Sequence, residues 1–523
     1  SIAFGLNSGQ TSQGANSIAF GNLSGSTHQG ENSIAFGNLA GSTDQGANSI
    51  AFGKESGEID QGENSIAFGL NSGQNSQGTQ SIAFGLNSGQ TGQGTYSTSF
   101  GPWSGSYYQG DYATAIGLQA GQYSQQNLTT AIGYGAGNFN QGTASVAIGS
   151  GAGSFNQSQN SFAFGNLSGH TGQGENSLAI GFSSGQTGQG DLAVAIGAFA
   201  GELNQGRSTF AAGFGAGAIN QGQGSVAMGS GTGRDYQGTN CFAAGSEAGR
   251  YYQGHNSVAI GVFAGKSNQG TNSMAVGYEA GISAQGQNCV AMGYRSGNTN
   301  QGTNSIAIGE SSGYTGQGQL AVAIGFNAGK LNQGAASYAA GYGAGETDQG
   351  HDSVAIGNGC ANQSQGIHCF ASGSDAGRDQ QGQNSVAIGS RAGKFNQGQN
   401  SMAIGSRAGK FNQGQNSMAL GFEAGHSAQG QNCMAMGYRS GNTNQGTNSI
   451  AIGESSGYTS QGTNCVSLGL ESGQSNQGNY SIAIGSKAGQ LNQPANSIVL
   501  NSSGVGLNGI ANGFCVDKLN TNA

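Results

Sequence analysis

Bulky and small residues alternate over five positions, and the same pattern returns every sixteen residues from Ser1 to Asn496 without insertion or loss. A first row reads SIAFGLNSGQTSQGAN (Ser1 to Asn16), a middle one SVAIGVFAGKSNQGTN (Ser257 to Asn272) and a late one SIAIGSKAGQLNQPAN (Ser481 to Asn496). Numbering each row from one to sixteen, positions two and four mostly carry Ile, Val, Phe or Met, as in Ile2 and Phe4 or Met402 and Ile404. Positions one, three and five carry Ser or Cys, Ala and Gly. A period of two over five residues predicts a short strand with one bulky and one small face. Gly at positions nine and fourteen marks turns. The expected coil is a strand at positions one to five, a bend at five to seven, an extended segment near eight to thirteen, and a return turn at fourteen to sixteen.

Sixteen residues are too few for a two-helix repeat of about thirty or a leucine-rich unit of about twenty, but they suffice for one solenoid coil. The predicted fold is therefore all-β, a parallel β-solenoid or β-roll of 31 coils over residues 1–496. Residues 497–523 read as a degenerate cap or a connector to a further C-terminal segment. At about 4.8 Å per coil the stack would be on the order of 150 Å long. Gln occupies position thirteen in every row and Asn closes most rows. Gln13, Gln269 and Gln493, with Asn16 and Asn272, are accordingly expected to form amide ladders that hold the register. Exceptions to the glycines are few: Ala361 at position nine, and Gln126, Ser158 and Pro494 at fourteen.

Composition narrows the class. With 104 Gly but 2 Pro, and Gly at fixed places in a sixteen-residue period, collagen is excluded. A strictly placed apolar pair in every row argues against disorder. The net charge of −8 is spread along the chain without a basic stripe, so nucleic acid is not an expected partner. No run approaches the ~20 apolar residues of a membrane span, and no secretory signal opens the chain. Ser1 starts in register without an initiator Met, so an upstream part is expected.

Two large apolar side chains per coil leave a thin coil under-supported, which predicts lateral association, most simply as a parallel homotrimer. Two geometries are compatible with the pattern. In the favoured one, positions two and four fill each coil and the small Ser/Ala/Gly face meets the partner. In the other, the apolar residues meet at a shared axis. An intertwined triple β-helix fits less well, because the two halves of the repeat do not resemble each other. Unpaired strands at the coil ends would also allow end-to-end stacking.

The rows with S-x-A-[IMVLF]-G, such as Ser225 to Gly229 and Ser305 to Gly309, resemble the head repeats of trimeric autotransporter adhesins. They are also similar to the S-I-A-I-G tracts of fibre proteins of large DNA viruses and phages. The resemblance implies a left-handed parallel β-roll in a tight trimer, exposed on a cell or virion surface. The period is sixteen here, against fourteen usually in the adhesins. Ser273 to Gly318 nearly recurs at Ser417 to Gly462, and rows 385–400 and 401–416 differ only at Val386 and Met402. Whole coils copied in register suit a part whose length matters.

Catalytic, cofactor and metal motifs are not found. The six His are scattered, and His351, Asp352 and His368 read as a solvated cluster. Of seven Cys, five (Cys241, Cys289, Cys369, Cys433 and Cys465) take position one in place of Ser, and only Cys360 with Cys369 leaves a bridge open. Aromatics at variable positions, Trp103, Tyr107, Tyr108, Tyr251 and Tyr252, could stack on sugars or simply pack in turns. No face repeats Thr as an ice-binding surface would. The expected function is non-enzymatic and structural: the shaft of an extracellular or virion surface fibre. The alternative is an adhesin head that binds host glycan or matrix protein through the variable positions.

Overall fold

The computed structural model describes residues 1–517. Its described residues are all-β, with no helix, and form a parallel β-solenoid of sixteen-residue coils in each of two units, which divide between Ser267 and Asn268. Nearly every coil gives two three-residue strands, at positions two to four (Ile2–Phe4) and eleven to thirteen (Thr11–Gln13); in coils 209–224 and 481–496 the second is reduced to isolated bridges at Ile219 and Leu491. The first strands stack in parallel and in register, Ile2 on Ile18, Ala3 on Ala19 and Phe4 on Phe20. Main-chain bonds run from coil to coil, as from Ile2 N to Ser17 O at 2.9 Å and from Gly21 N to Phe4 O at 2.8 Å. The second strands pair only at positions eleven and thirteen, Thr11 on Thr27 and Gln13 on Gln29.

Position twelve stands out of that ladder because its backbone is left-handed. Ser12, His28 and Asp44 have φ of 49°, 50° and 54°. The alternation of a regular strand is therefore broken, so that positions eleven and twelve both face outward and only Gln at thirteen turns in. Positions seven and sixteen are left-handed too, at Leu23 (54°) and Asn16 (55°). Asn tolerates this conformation better than other non-glycine residues, which accounts for its frequency at the row end independently of any ladder.

The interior differs from the favoured sequence reading. Positions two and four point out: Ile18 is 40% and Phe20 42% exposed, whereas Ala19 between them is fully buried. The core consists of position-three Ala packed on position-eight Ala, as in Ala35, Ala40 and Ala51, closed by Ser or Cys at position one and Gln at thirteen. The reason is the close approach of the two layers. A Cβ added to Gly25 would lie 2.8 Å from Gln29 Oε1 and 3.2 Å from Ala19 Cβ. An Ile or Phe side chain has no room there, so the large residues are left on the outside.

The glycine at position five has a second constraint: a Cβ on Gly21 would come within 2.1 Å of Gly37 O in the next coil. At fourteen the substituted coils yield slightly. Gln126 N to Gln141 O and Ser158 N to Gln173 O are 3.0 Å, against 2.7 Å at Gly110 and Gly142. Beyond the last regular row, Ile498–Leu500 and Phe514–Val516 add two further strands to the first sheet. Val499 joins Ala483 and Ala488 in the core, with Leu507 and Cys515 packed against them.

Candidate interaction surfaces

Because the core takes the small residues, each coil presents its largest apolar side chains on one outward face. In the first unit, Phe4, Phe20, Phe36, Phe52, Phe68, Phe84 and Phe100 stack in one column with ring centroids 4.8–5.0 Å apart. Beside it runs the position-two column, with Ile34 36% and Ile82 39% exposed. A continuous apolar column of this kind is an interaction surface rather than scattered exposure. Residue reading located these positions but assigned them to the inside.

The expected aromatic residues fall on the other side and at the edge. Trp103, at position seven, is half-buried in the turn with φ 59°. Tyr107 begins a stack at position eleven that runs through Tyr123, Phe139 and Phe155. Tyr108 is 68% exposed. Tyr251 lies under the Arg250 guanidinium at 4.8 Å, and Tyr252 stacks on Tyr236 at 5.1 Å. These rings make separate short columns and do not converge on one site.

Gln at position thirteen uses its amide mainly within its own coil. Gln29 Nε2 donates to Ile18 O at 2.9 Å, and Gln493 Nε2 to Ile482 O at 3.0 Å. Coil-to-coil amide bonds occur at some steps, as from Gln13 to Gln29 at 3.2 Å. Elsewhere the Oε1 atoms of Gln157 and Gln189 have no hydrogen-bond partner among the described residues. Gln269 Nε2 donates to Ser273 O at 3.3 Å. At position sixteen, Asn16 donates to Asn32 at 3.3 Å and Asn272 to Asn288 at 3.2 Å.

Charges are local to the turn edge. Glu423 accepts from Arg407 Nη1 and from Arg439 Nε, each at 2.9 Å. Burial pushes its carboxyl up, but these two guanidinium bonds outweigh it and hold it below the usual carboxylate range. Burial lowers His170 and His426 below the ordinary imidazole value. His351 Nδ1 accepts from Ala335 N at 3.0 Å, and His368 lies 3.6 Å from Asp352. Among the described residues no three His, Cys, Asp or Glu side chains gather as a metal site. All seven Cys are free, and six are buried. Cys241 Sγ donates to Gly254 O at 2.9 Å, repeating the bond that Ser225 makes at position one to Gly238 O at 2.6 Å. No helix among the described residues is long and apolar enough to cross a membrane.

Paired glycines at position seven, Gly215 with Gly231 and Gly343 with Gly359, open gaps in the turn edge that the sequence pattern did not single out. Their signal is two successive rows without a side chain there, hidden among so many other glycines.

The YadA head domain repeat matches this chain in two copies, at residues 29–56 and 61–88. Together with the parallel β-solenoid, this supports the resemblance to trimeric autotransporter adhesin head repeats. No curated protein gives a significant match.

Proposed function

We propose that this chain is a non-enzymatic structural module of an extracellular or virion surface fibre, self-associated as a parallel homotrimer through its apolar face. The observation that supports it most is the outward phenylalanine column from Phe4 to Phe100 with its flanking isoleucines. Such a surface is costly in water and is covered when identical chains bring it to a shared axis. The adhesin-like repeat match supports a surface location. Sedimentation equilibrium on the whole chain tests the reading: three times the chain mass is expected. Phe36→Ser, Phe52→Ser and Phe68→Ser combined should shift the mass toward one chain while the far-ultraviolet spectrum keeps its β signature. A monomeric unsubstituted chain overturns the proposal.

A second reading, an adhesin head, is favoured by the exposed rings on the opposite side, Tyr108, Tyr236 and Tyr252. Aromatic faces of this kind stack on sugars and on apolar side chains. Replacing them should abolish attachment to glycan or matrix if the chain is a head, and should leave a shaft unaffected.

A further inference from the structure

In the first unit the row of side chains at position seven is interrupted in two successive coils, by Gly215 and Gly231. A Cβ added to Gly215 would meet no atom within 4 Å, so the gap is open space. It forms a cavity of about 370 Å³. One wall is aromatic: Phe199 and Phe214 meet edge to face at 5.7 Å, and Phe214 remains 60% exposed. The opposite wall is ionic. Glu247 is gripped by Arg250 Nη1 at 2.8 Å and by Lys266 Nζ at 2.9 Å. Arg234 and Glu202 also line the cavity; they feel each other's charge but do not come within 4.0 Å, so Arg234 forms no salt bridge among the described residues.

The same construction recurs eight repeats later, in the second unit. Tyr342, Gly343, Gly359, Asp375 and Arg378 line a cavity of about 220 Å³. Tyr342 is 61% exposed. Asp375 is held by Lys394 Nζ at 2.9 Å, with Arg378 Nη1 at 3.7 Å. Aromatic ring, paired glycines, acid, arginine and lysine all take the repeat positions they occupy in the first notch. Other lining positions change: Asn362 stands in place of Arg234 and donates to Glu346 at 2.7 Å, while Asn327, Lys330 and Glu346 stand in place of Phe199, Glu202 and Ala218. A third glycine pair, Gly135 with Gly151, keeps an exposed ring in Tyr134 but lacks the acid, arginine and lysine, and Leu167 leans over it with its Cδ2 2.9 Å from a Cβ built on Gly151.

The three parts of the notch make different demands on an occupant. A flat exposed ring suits the C–H face of a pyranose. A carboxylate locked by two cations offers fixed acceptors and donors for ring hydroxyls. A glycine floor lets the sugar reach the backbone. The guanidinium of Arg234 faces Glu202 across the same cavity but has no carboxylate within salt-bridge distance among the described residues, and a planar fork pairs best with one in contact. We propose that the first notch binds a pyranoside bearing a carboxylate, of the uronic or sialic type, and that the second, without that guanidinium, takes a neutral pyranoside. This deepens the adhesin reading above and rests on it.

The test is titration of the full chain with sialyllactose, a glucuronic-acid disaccharide and their carboxyl-reduced forms, followed by calorimetry and saturation-transfer nuclear magnetic resonance. Gly215→Leu fills the first notch with a side chain that position seven carries in the same backbone conformation at Leu23, Leu39 and Leu167. Gly215→Leu, Phe214→Ala and Arg234→Ala should each weaken binding of at least one acidic sugar by about tenfold or more. Carboxyl reduction should do the same in the unsubstituted chain and have no further effect in Arg234→Ala. Gly343→Leu should leave the acidic sugar bound. Failure of both acidic sugars to bind, or equal binding by Gly215→Leu, overturns the proposal. Attachment that survives Gly215→Leu but is lost with Tyr108, Tyr236 and Tyr252 replaced would reject the notch and keep the adhesin reading.

Discussion

Gln29 Nε2 donates to the carbonyl oxygen of Ile18 at 2.9 Å, crossing the interior of its coil from the second strand to the first. The contact recurs from coil to coil, as at Gln61 to Ile50 and Gln157 to Val146, both 2.9 Å. It takes the place of an apolar core. A carbonyl at the strand start would otherwise face a buried layer of methyl groups, and the glutamine is the side chain long enough to reach it.

Replacing one such glutamine should therefore destabilise by more than its volume suggests. Gln157→Leu removes donors to Val146 O at 2.9 Å and Ser161 O at 3.2 Å, and should cost about 1–3 kcal/mol. Gln157→Glu should cost more, because a buried carboxylate cannot donate to either carbonyl. Urea midpoints at constant slope check the order glutamine above leucine above glutamate.

The close layers predict a sharp asymmetry between the buried face of the first strand and the exposed side of the second. Ala147→Leu, at a fully buried site, should lower stability by about 1–3 kcal/mol through overpacking. Tyr108→Ser, at a site 68% exposed, should stay within about 0.5 kcal/mol. Equal effects would contradict the small-residue core. Thermal melting of both variants decides the matter.

Thiol chemistry reads the same interior. Burial raises the thiols of Cys241, Cys369 and Cys433, and pushes Cys360 up to about 12. Thiolate is the reacting species, so these sites should be inert at pH 8. Native protein should show one fast equivalent with Ellman's reagent, from the partly exposed Cys515, and all seven cysteines after denaturation. Two or more fast equivalents would place a position-one thiol or Cys360 outside the coil.

Acid should destabilise in two stages. His170 and His426 titrate below 6.5 in the folded chain, because burial favours the neutral ring. The unfolded chain then takes up protons first, so their contribution is complete above pH 6.5 and falls as pH drops through 6.5 to their lowered values. Glu247 and Glu423, held below 4.5, add a second loss as pH falls through the carboxylate range. Urea midpoints from pH 8 to pH 3 should show both steps, with His170→Gln and His426→Gln removing the first.

The sixteen-residue period, a strand within positions one to five, the turns at the glycines and the parallel in-register stacking are all legible in the residues, because each depends on local spacing repeated without error. Which face turns inward is not. Ile18 and Phe20 alternate with Ala19 in a way that fits either orientation, and a period of two specifies faces without saying which one is buried. That was decided by the distance between the layers, set where Gly25 meets Gln29 and Ala19. The left-handed residue at position twelve was equally hidden, since Ser12, His28 and Asp44 share no side-chain chemistry and only the folded coil requires their conformation. The notches at Gly215 and Gly343 depend on what four and three successive coils, respectively, place side by side, sixteen residues apart in the chain. Local pattern fixes the coil; contact between coils and between layers decides what the coil hides and what it offers.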